Sequence, residues 1–224
     1  LHPRYEDAQY ERVMSELLPR VWSLCEQAAQ AGMHLTIDAE ESERLELSLR
    51  LLDALAQRVA QRCPQWDGLG LAVQAYQTRA LACVEHVIAL ARRLNLRLMC
   101  RLVKGAYWDA EIKRAQELGL AHYPVYTHKH HTDTSYLACA RTLLAACDAV
   151  YPQFATHNAG TLAAVLQLAT QAGASAHEPP RFELQRLHGM GESLYREVLK
   201  TQSVRLRVYA PVGQHRDLLA YLVR

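Results

Sequence analysis

The segment RLVKGAYWD, residues 101–109, places two basic residues, a glycine, two aromatic residues and an acid around the end of an aliphatic run. Arg101 lies within that run, so its guanidinium group is expected in a water-poor environment. A buried guanidinium needs a carboxylate, an anion or a flat electron-rich ring as its partner. Two interpretations are open: a salt bridge to a carboxylate on a neighbouring strand, such as Asp38, or contact with a ligand.

The remainder of the same segment favours a ligand. Gly105 permits close approach of the backbone to a bound molecule, and Tyr107 and Trp108 offer flat surfaces to it. A single Tyr or Trp is usually a core residue. The prediction therefore rests on the cluster and on no single member of it.

Polar side chains also follow the other apolar segments of the chain. They are Asp38, Gln74, Arg101 with Lys104, His157 with Asn158, His188 and Tyr209. In a barrel of parallel strands all the carboxyl ends lie on one face, and enzymes of this type place their chemistry there. Some of these residues also have a structural interpretation, since Asn158 or Thr161 can cap the helix that follows. We predict one site at the strand ends.

Residues 126–133, YTHKHHTD, contain three histidines in four positions. Imidazole is a common metal ligand, but there is no HExxH motif, and adjacent His130 and His131 point in different directions in any regular element. A loop that binds an anionic group through side chains and backbone NH groups is the better interpretation. The side chains concerned are Thr127, Lys129 and Thr132.

Amphipathic helical segments alternate with short apolar strands along the chain. The predicted strands cover residues 33–38, 69–76, 96–105, 149–158, 181–190 and 204–213. Helical crossovers predict parallel pairing, in either a TIM-like barrel or an open doubly wound sheet. No GxGxxG or GxxxxGK[ST] motif follows a strand, which disfavours the nucleotide-binding open sheets. Six strands do not close an eight-stranded barrel, so we expect residues 1–224 to be one domain, incomplete at both ends, of a larger protein.

Composition narrows the class of protein. The chain has 224 residues, half of them apolar, which suffices for one large core. Its net charge is +2 with interleaved signs, so no contact with nucleic acid is expected. The six cysteines are scattered without a CxxC pair, which favours a reduced cytosolic setting. No signal peptide or bilayer-spanning run is present in the sequence, so we expect a soluble protein, at most peripheral to a membrane.

Seven ordered motifs extend over the whole chain: IDAEE, VQAYQ, RLVKGAYWD, YPVYT, YPQFATHNA, LHGMGE and YAPVG with LLAYLVR. In these motifs the chain resembles the proline dehydrogenase domain of the bacterial proline utilisation A flavoenzymes. The resemblance implies a (βα)8 TIM-like barrel with FAD at the carboxyl ends of its strands. It also implies oxidation of L-proline to Δ1-pyrroline-5-carboxylate, by hydride transfer from C5 to flavin N5, with electrons passed to a membrane quinone.

The resemblance also implies roles for individual residues, and none of these roles is metal binding. The cofactor-binding residues are Gln74, Arg101, Lys104, Gly105, Ala106, Trp108, Thr127, His128, Lys129, Thr132, His157 and Asn158, with Arg101 near flavin N5. The substrate-binding residues are Tyr107, Leu187, Tyr209 and Arg224, and the catalytic residues are Arg101, Asp38 and Tyr209. Arg224 matches the first of two adjacent arginines that bind the proline carboxylate in the family. The family more usually has an arginine and a tyrosine at the positions of His128 and His131.

The partners implied by the resemblance are L-proline, a membrane quinone and a pyrroline-5-carboxylate dehydrogenase, fused or separate. The implied location is the cytoplasm, at most peripheral to the inner membrane. Two other functions remain open. One is a non-catalytic barrel fragment that serves as a ligand-binding scaffold. The other is a metal-dependent hydrolase that uses the histidine cluster.

Overall fold

A computed structural model describes residues 6–174 and 181–214, which form seven α-helices and six β-strands. The helices are α1 (Tyr10–Gln30), α2 (Leu45–Arg62), α3 (Ala80–Leu94), α4 (Trp108–Glu117), α5 (Lys129–Ala145), α6 (Ala159–Gln171) and α7 (Glu192–Thr201). The strands are β1 (Leu35–Ile37), β2 (Leu69–Gln74), β3 (Leu98–Val103), β4 (Val150–Ala155), β5 (Glu183–Leu187) and β6 (Arg205–Tyr209). Single 3₁₀ turns, Asp7–Gln9 and Ser42–Arg44, precede α1 and α2.

The six strands form one sheet in the order β1 to β6, and every neighbouring pair is parallel. This confirms the six predicted strands, each shorter than predicted, and their parallel pairing. A doubly wound sheet reverses its strand order at a switch point. Here the order is sequential throughout, so the sheet is a curled half-barrel of the TIM-like type and the open-sheet alternative is wrong.

Alternate residues of each strand face either the helices or the concave side of the sheet. The helix-facing side chains, such as Leu102, Phe154 and Leu184, are fully buried in one apolar core. The intervening positions are polar in the middle of the sheet, for example Gln153 and Gln185. The concave face of the sheet therefore carries hydrogen-bonding groups.

Glu183 is the centre of the hydrogen bonds on this concave face. Its carboxylate is buried and accepts from Gln153 Nε2 at 2.9 Å and from Gln185 Nε2 at 2.7 Å. The Arg207 guanidinium donates to both oxygens of the same carboxylate, at 2.7 and 2.9 Å. A buried carboxylate needs such partners because desolvation disfavours its charge. Side chains from β4, β5 and β6 are thereby joined below the strand ends.

Two buried tyrosines from the helices contact the carboxyl ends of neighbouring strands. The Tyr136 hydroxyl of α5 lies 3.3 Å from the Leu102 carbonyl oxygen of β3 and 3.4 Å from the Ala155 carbonyl oxygen of β4. The Tyr195 hydroxyl of α7 makes similar contacts just after β4 and in the middle of β5, at 2.7 and 3.1 Å. Burial raises the pKa of both hydroxyl groups, so each is a neutral donor. The tyrosines brace the strand ends from outside the sheet.

Helix α5 begins earlier than the sequence pattern indicates. The apolar periodicity starts at residue 135, and residues 126–133 were expected to form a loop. In the structure His128 is the N-cap and Lys129 the first helical residue. Most side chains at this end of the helix are exposed, and only Thr132 among the first four is buried. The sequence there consequently shows no apolar stripe. The polar segment therefore supplies a helix N-terminus in place of a loop.

The cysteines and the helices also bear on the predicted class of protein. All six cysteines are free thiols, and five of them are buried. Burial raises the pKa of Cys25 to about 11, which makes it a poor nucleophile. Within residues 6–174 and 181–214, no helix is both long enough and apolar enough to cross a bilayer.

Candidate active site

Arg101 forms a salt bridge with Asp38, which follows β1 directly. Arg101 Nη2 lies 2.6 Å from Asp38 Oδ1, which also accepts from the Ala39 NH group at 2.9 Å. The Arg101 side chain is 20% exposed and that of Asp38 is 65% exposed, so the pair lies at the edge of the concave face. Arg101 Nε is buried and has no hydrogen-bond partner among the described residues. The salt bridge is therefore present, and it does not use the buried Nε donor of the guanidinium.

Gln74 connects the two loops on either side of it. Its side chain is buried; Nε2 donates to the Glu40 carbonyl oxygen at 2.8 Å, and Oε1 accepts from the Ala106 NH group at 3.2 Å. Both ends of the amide are thus used by backbone groups of the β1–α2 and β3–α4 connections. In this structure Gln74 positions the residues that surround the site.

Packing explains why residue 105 is a glycine, whereas the sequence suggested close approach of a ligand. Its φ angle is +139°, and an added Cβ atom would lie 2.4 Å from Cγ of the Tyr76 ring. The Tyr76 NH group donates to the Lys104 carbonyl oxygen at 2.8 Å, which holds the aromatic ring against this turn. Glycine is therefore required by the packing of Tyr76, whether or not a ligand approaches the exposed side.

Tyr107 and Trp108 occupy the start of α4, as its N-cap and its first residue. Trp108 is 42% exposed, and its Nε1 group donates to the Tyr126 carbonyl oxygen at 2.9 Å. This hydrogen bond fixes the position of the indole while much of its surface stays open to solvent. Tyr107 is half-buried, and neighbouring Ala106 is exposed. An exposed, anchored aromatic ring is suited to contact a flat ligand.

Asp133 of α5 joins the end of β3 to the start of α5. Its Oδ1 atom lies 2.5 Å from Lys104 Nζ, and its Oδ2 atom lies 2.5 Å from Lys129 Nζ. Burial acts to raise the pKa of Asp133, but the hydrogen bonds and charges of the two lysines outweigh it and hold the pKa below its usual value. The two predicted lysines are thus brought together by a carboxylate that sequence reasoning did not single out.

The three histidines lie side by side at the start of α5. The ring centroids of His130 and His131 are 4.3 Å apart, and His128 stacks on His130 at 5.4 Å. Thr127 and Lys129 are exposed beside them. In the part of the chain that the structure describes, no group of three or more His, Cys, Asp or Glu side chains is arranged to hold a metal ion. The first NH groups of a helix lack intrahelical acceptors, so this end is chemically suited to an anion.

His157 is held by the backbone of the next strand. Its Nε2 atom accepts from the Leu187 NH group at 3.0 Å. Burial, together with the positive charge of nearby Arg186, lowers the pKa of His157. Both observations favour a neutral imidazole with its proton on Nδ1. The Leu187 side chain is buried beside it.

Asn158 caps α6, as the structural interpretation predicted: its Oδ1 atom accepts from the Thr161 NH group at 2.9 Å. Tyr209 ends β6, is half-buried, and accepts at its carbonyl oxygen from the His188 NH group at 2.8 Å. Arg224, which the resemblance assigns to the proline carboxylate, lies outside the described residues. Those predicted residues that the structure describes thus lie at one edge of the sheet.

Two groups of residues can be distinguished at this edge. We call Asp38, Gln74, Arg101, Gly105 and Ala106 the β1–β3 cluster, and residues 127–133 the α5 terminus. Lys104 and Asp133 connect the two. Sequence reasoning missed Asp133, and it also missed Glu111, whose position in the first turn of α4 indicates no more than an acid near a helix N-terminus.

The half-barrel with ionisable side chains at its carboxyl edge defines an α/β protein of the barrel class. A family model described as proline dehydrogenase matches residues 3–224, so this chain belongs to the proline dehydrogenase family. Bifunctional protein PutA of Escherichia coli K12 is 56% identical over the whole chain, and that of Rhizobium meliloti is 53% identical. The chain spans 17% and 18% of the length of these two relatives.

Solved structures agree with this assignment. A crystal structure of a Bradyrhizobium japonicum proline utilization A mutant is 54% identical, with a TM-score of 0.89, and the match covers all of this chain and 22% of that one. The Bdellovibrio bacteriovorus protein, described as inactivated by N-propargylglycine, is 30% identical, with a TM-score of 0.88 over the same shares. The half-barrel is therefore part of much longer chains in its relatives.

Proposed function

We propose that residues 1–224 form the main part of an FAD-dependent proline dehydrogenase domain, completed to a (βα)8 barrel by flanking segments of a larger protein. The domain oxidises L-proline to Δ1-pyrroline-5-carboxylate. Family membership supports the reaction. The Arg101–Asp38 pair at the carboxyl edge is the structural observation that carries the proposal, because it places a cation with an unused donor in a largely covered position.

The residues at the edge fit a flavin dinucleotide. Arg101 Nε is a buried donor without a partner among the described residues, which suits an electron-rich ring nitrogen. Trp108 offers an exposed, anchored indole surface. The α5 terminus combines a helix start without a side-chain cap with exposed Thr127 and Lys129, which suits a pyrophosphate. Donors for the ring and for the phosphates therefore lie on the same edge of the sheet.

When bound, the flavin supplies the hydride acceptor for proline C5. Arg101 would hold the ring side of this group and would supply a positive charge to stabilise negative charge that develops on it. Asp38 fixes the Arg101 guanidinium through the 2.6 Å contact and contributes to the polar network around the substrate. Gln74 keeps the two loops beside Arg101 at a fixed separation through its two backbone hydrogen bonds.

The substrate side of the site uses Tyr107, Leu187 and Tyr209 to enclose the proline ring. Leu187 supplies apolar surface at the end of β5, and Tyr209 lies opposite it in the register of β5 and β6. Arg224 binds the proline carboxylate, a role suited to the bidentate geometry of a guanidinium group. His157 and Asn158, which follow β4, would border the bound cofactor.

The wider partners follow from the relatives. Both curated relatives named above are called bifunctional, and we propose that the parent protein likewise joins this domain to a pyrroline-5-carboxylate dehydrogenase. On the resemblance to the family alone, we propose a membrane quinone as the electron acceptor and a cytoplasmic location with peripheral contact to the inner membrane.

Anaerobic titration of the purified full-length protein with L-proline tests this function. We expect flavin absorbance bands in the blue and near-ultraviolet that bleach on addition of L-proline, with L-valine as a control amino acid that lacks the ring. A colourless protein that still binds proline would support the scaffold alternative. Stoichiometric zinc by elemental analysis, without flavin, would support the hydrolase alternative.

A further inference from the structure

The connection from β1 to α2, residues 38–44, carries Asp38 and is held by side chains of three other elements. Arg101 of β3 pairs with Asp38, and Gln74 of β2 donates to the Glu40 carbonyl oxygen. The third contact comes from α4 and reaches Ser42. These contacts follow one another along the connection, so its conformation depends on all three.

Glu111 makes the contact from α4. Its side chain is 2% exposed; Oε1 accepts from the Ser42 NH group at 2.5 Å, and Oε2 accepts from Ser42 Oγ at 2.6 Å. Ser42 begins the 3₁₀ turn before α2, and that turn has no cap from its own N-cap side chain. A carboxylate at a helix start is favoured by the helix dipole and by the unused NH groups. Glu111 therefore caps the 3₁₀ turn that leads into α2, from a position 69 residues away in the chain.

A second contact from α4 reaches the same connection, and Gln74 separately joins this connection to the loop before α4. Arg114, one turn after Glu111, pairs with Glu43. Around these polar contacts lies a cavity of about 590 Å³ lined by both elements, including Leu45 and Ala115. Residues of both elements line this space, which is open to solvent, so apolar packing between them is incomplete there. The position of residues 38–44 relative to α4 thus depends on Glu111 and Arg114.

We propose that Glu111 is a positioning residue for proline oxidation: it holds Ser42, and through residues 39–41 it keeps Asp38 in the geometry that fixes Arg101. The same helix begins with Tyr107 and Trp108, so Glu111 also sets the distance between those aromatic residues and Asp38. This inference rests on the proposed function, because it acts on the residues assigned there to substrate and flavin.

The test is a double-mutant cycle in the FAD-loaded full-length protein, with stopped-flow flavin reduction by proline as the readout. We expect Glu111→Ala to raise the proline concentration for half-maximal reduction about tenfold, the equivalent of one lost charged hydrogen-bond interaction. In an Asp38→Ala background the same change should add less than about twofold, since contacts that act through one residue are not additive. A merely structural role predicts an equal effect in both backgrounds.

Glu111→Gln and Ser42→Ala keep part of the contact and should raise the half-saturating concentration about threefold or less, so they carry the test if the alanine variant does not fold. Glu117→Ala is the matched control, since Glu117 lies on the same helix, is 62% exposed and pairs with Lys113. It should leave reduction unchanged. Unchanged reduction in Glu111→Ala, or an equal effect in both backgrounds, overturns this inference alone. Unchanged reduction in Asp38→Ala overturns it together with the proposed role of Asp38.

Discussion

In the β1–β3 cluster most polar side chains are covered and paired, whereas in the α5 terminus most are exposed and the histidines contact chiefly one another. Gln74 uses both ends of its amide on backbone groups, and Arg101 is held by Asp38. His128 and His131, by contrast, stand on the surface of a helix end. A rigid cluster suits the reacting end of a cofactor, where small displacements matter. An anion at an exposed helix terminus is bound mainly by backbone NH groups, so such a site depends less on the identity of its side chains.

Replacement of Arg101, in the β1–β3 cluster, should have the largest effect on the reaction. We expect Arg101→Met to lower the rate of flavin reduction by proline about 100-fold or more, because one preorganised charge at a reacting centre is worth about that much. The fold should remain, since the partner Asp38 is mostly exposed and can be solvated by water. Stopped-flow absorbance measures the rate, and Arg92→Met, which removes a surface pair with Asp148, is the control. An unchanged reduction rate would refute the role of Arg101.

Replacement of Gly105 tests whether the rigidity of the cluster comes from its packing. We expect Gly105→Ala to lower the free energy of unfolding by about 3 kcal/mol, because a positive φ angle and a clash with the Tyr76 ring act together. Gly119→Ala is the control: its φ is +60° but nothing lies within 4 Å of the added Cβ atom, so it should cost about 1 kcal/mol. Denaturant unfolding gives both values. Equal losses in the two variants would show that Tyr76 moves aside freely.

Asp133 links the α5 terminus to Lys104 beside the β1–β3 cluster. Its neutralisation should have the smallest effect, and that effect is on the free energy of unfolding. The pKa of Asp133 is lowered in the folded protein, so its charge adds stability above the ordinary Asp pKa of about 3.9. That contribution is lost as the pH falls through the lowered folded value. We expect Asp133→Asn to lose less than about 1 kcal/mol at pH 7, because the lysine pairs are partly solvated. Unfolding measured at pH 7 and pH 3 should show the difference shrink; a constant difference would contradict this account.

Much of the fold was predictable because alternation and helical periodicity are local properties. Strands such as Leu98–Val103 and their parallel pairing follow from apolar runs separated by helical crossovers. The start of α5 was missed for a physical reason. Its first turn is polar and is held by the Lys104–Asp133 contact from β3, which no local pattern contains.

The candidate site was predictable in its location and less so in its connections. Ionisable residues at strand ends, such as Asp38 and Arg101, stand out because they interrupt apolar runs, and their pairing was one of the two interpretations considered. Glu111 and Ser42 do not stand out, since an acid in a first turn and a serine before a helix are common everywhere. Their contact joins residues far apart in the chain, and it became visible only in the folded arrangement.

The two hydrogen bonds of Gln74 restrict which amino acids can occupy that position. One end of its side chain must donate to the Glu40 carbonyl oxygen and the other must accept from the Ala106 NH group. Glutamate offers no donor when ionised, asparagine is shorter by one methylene, and lysine and methionine each lack one of the two groups. Glutamine alone among the common residues of this length meets both demands. A substitution at position 74 therefore requires the β1–α2 and β3–α4 loops to rearrange together.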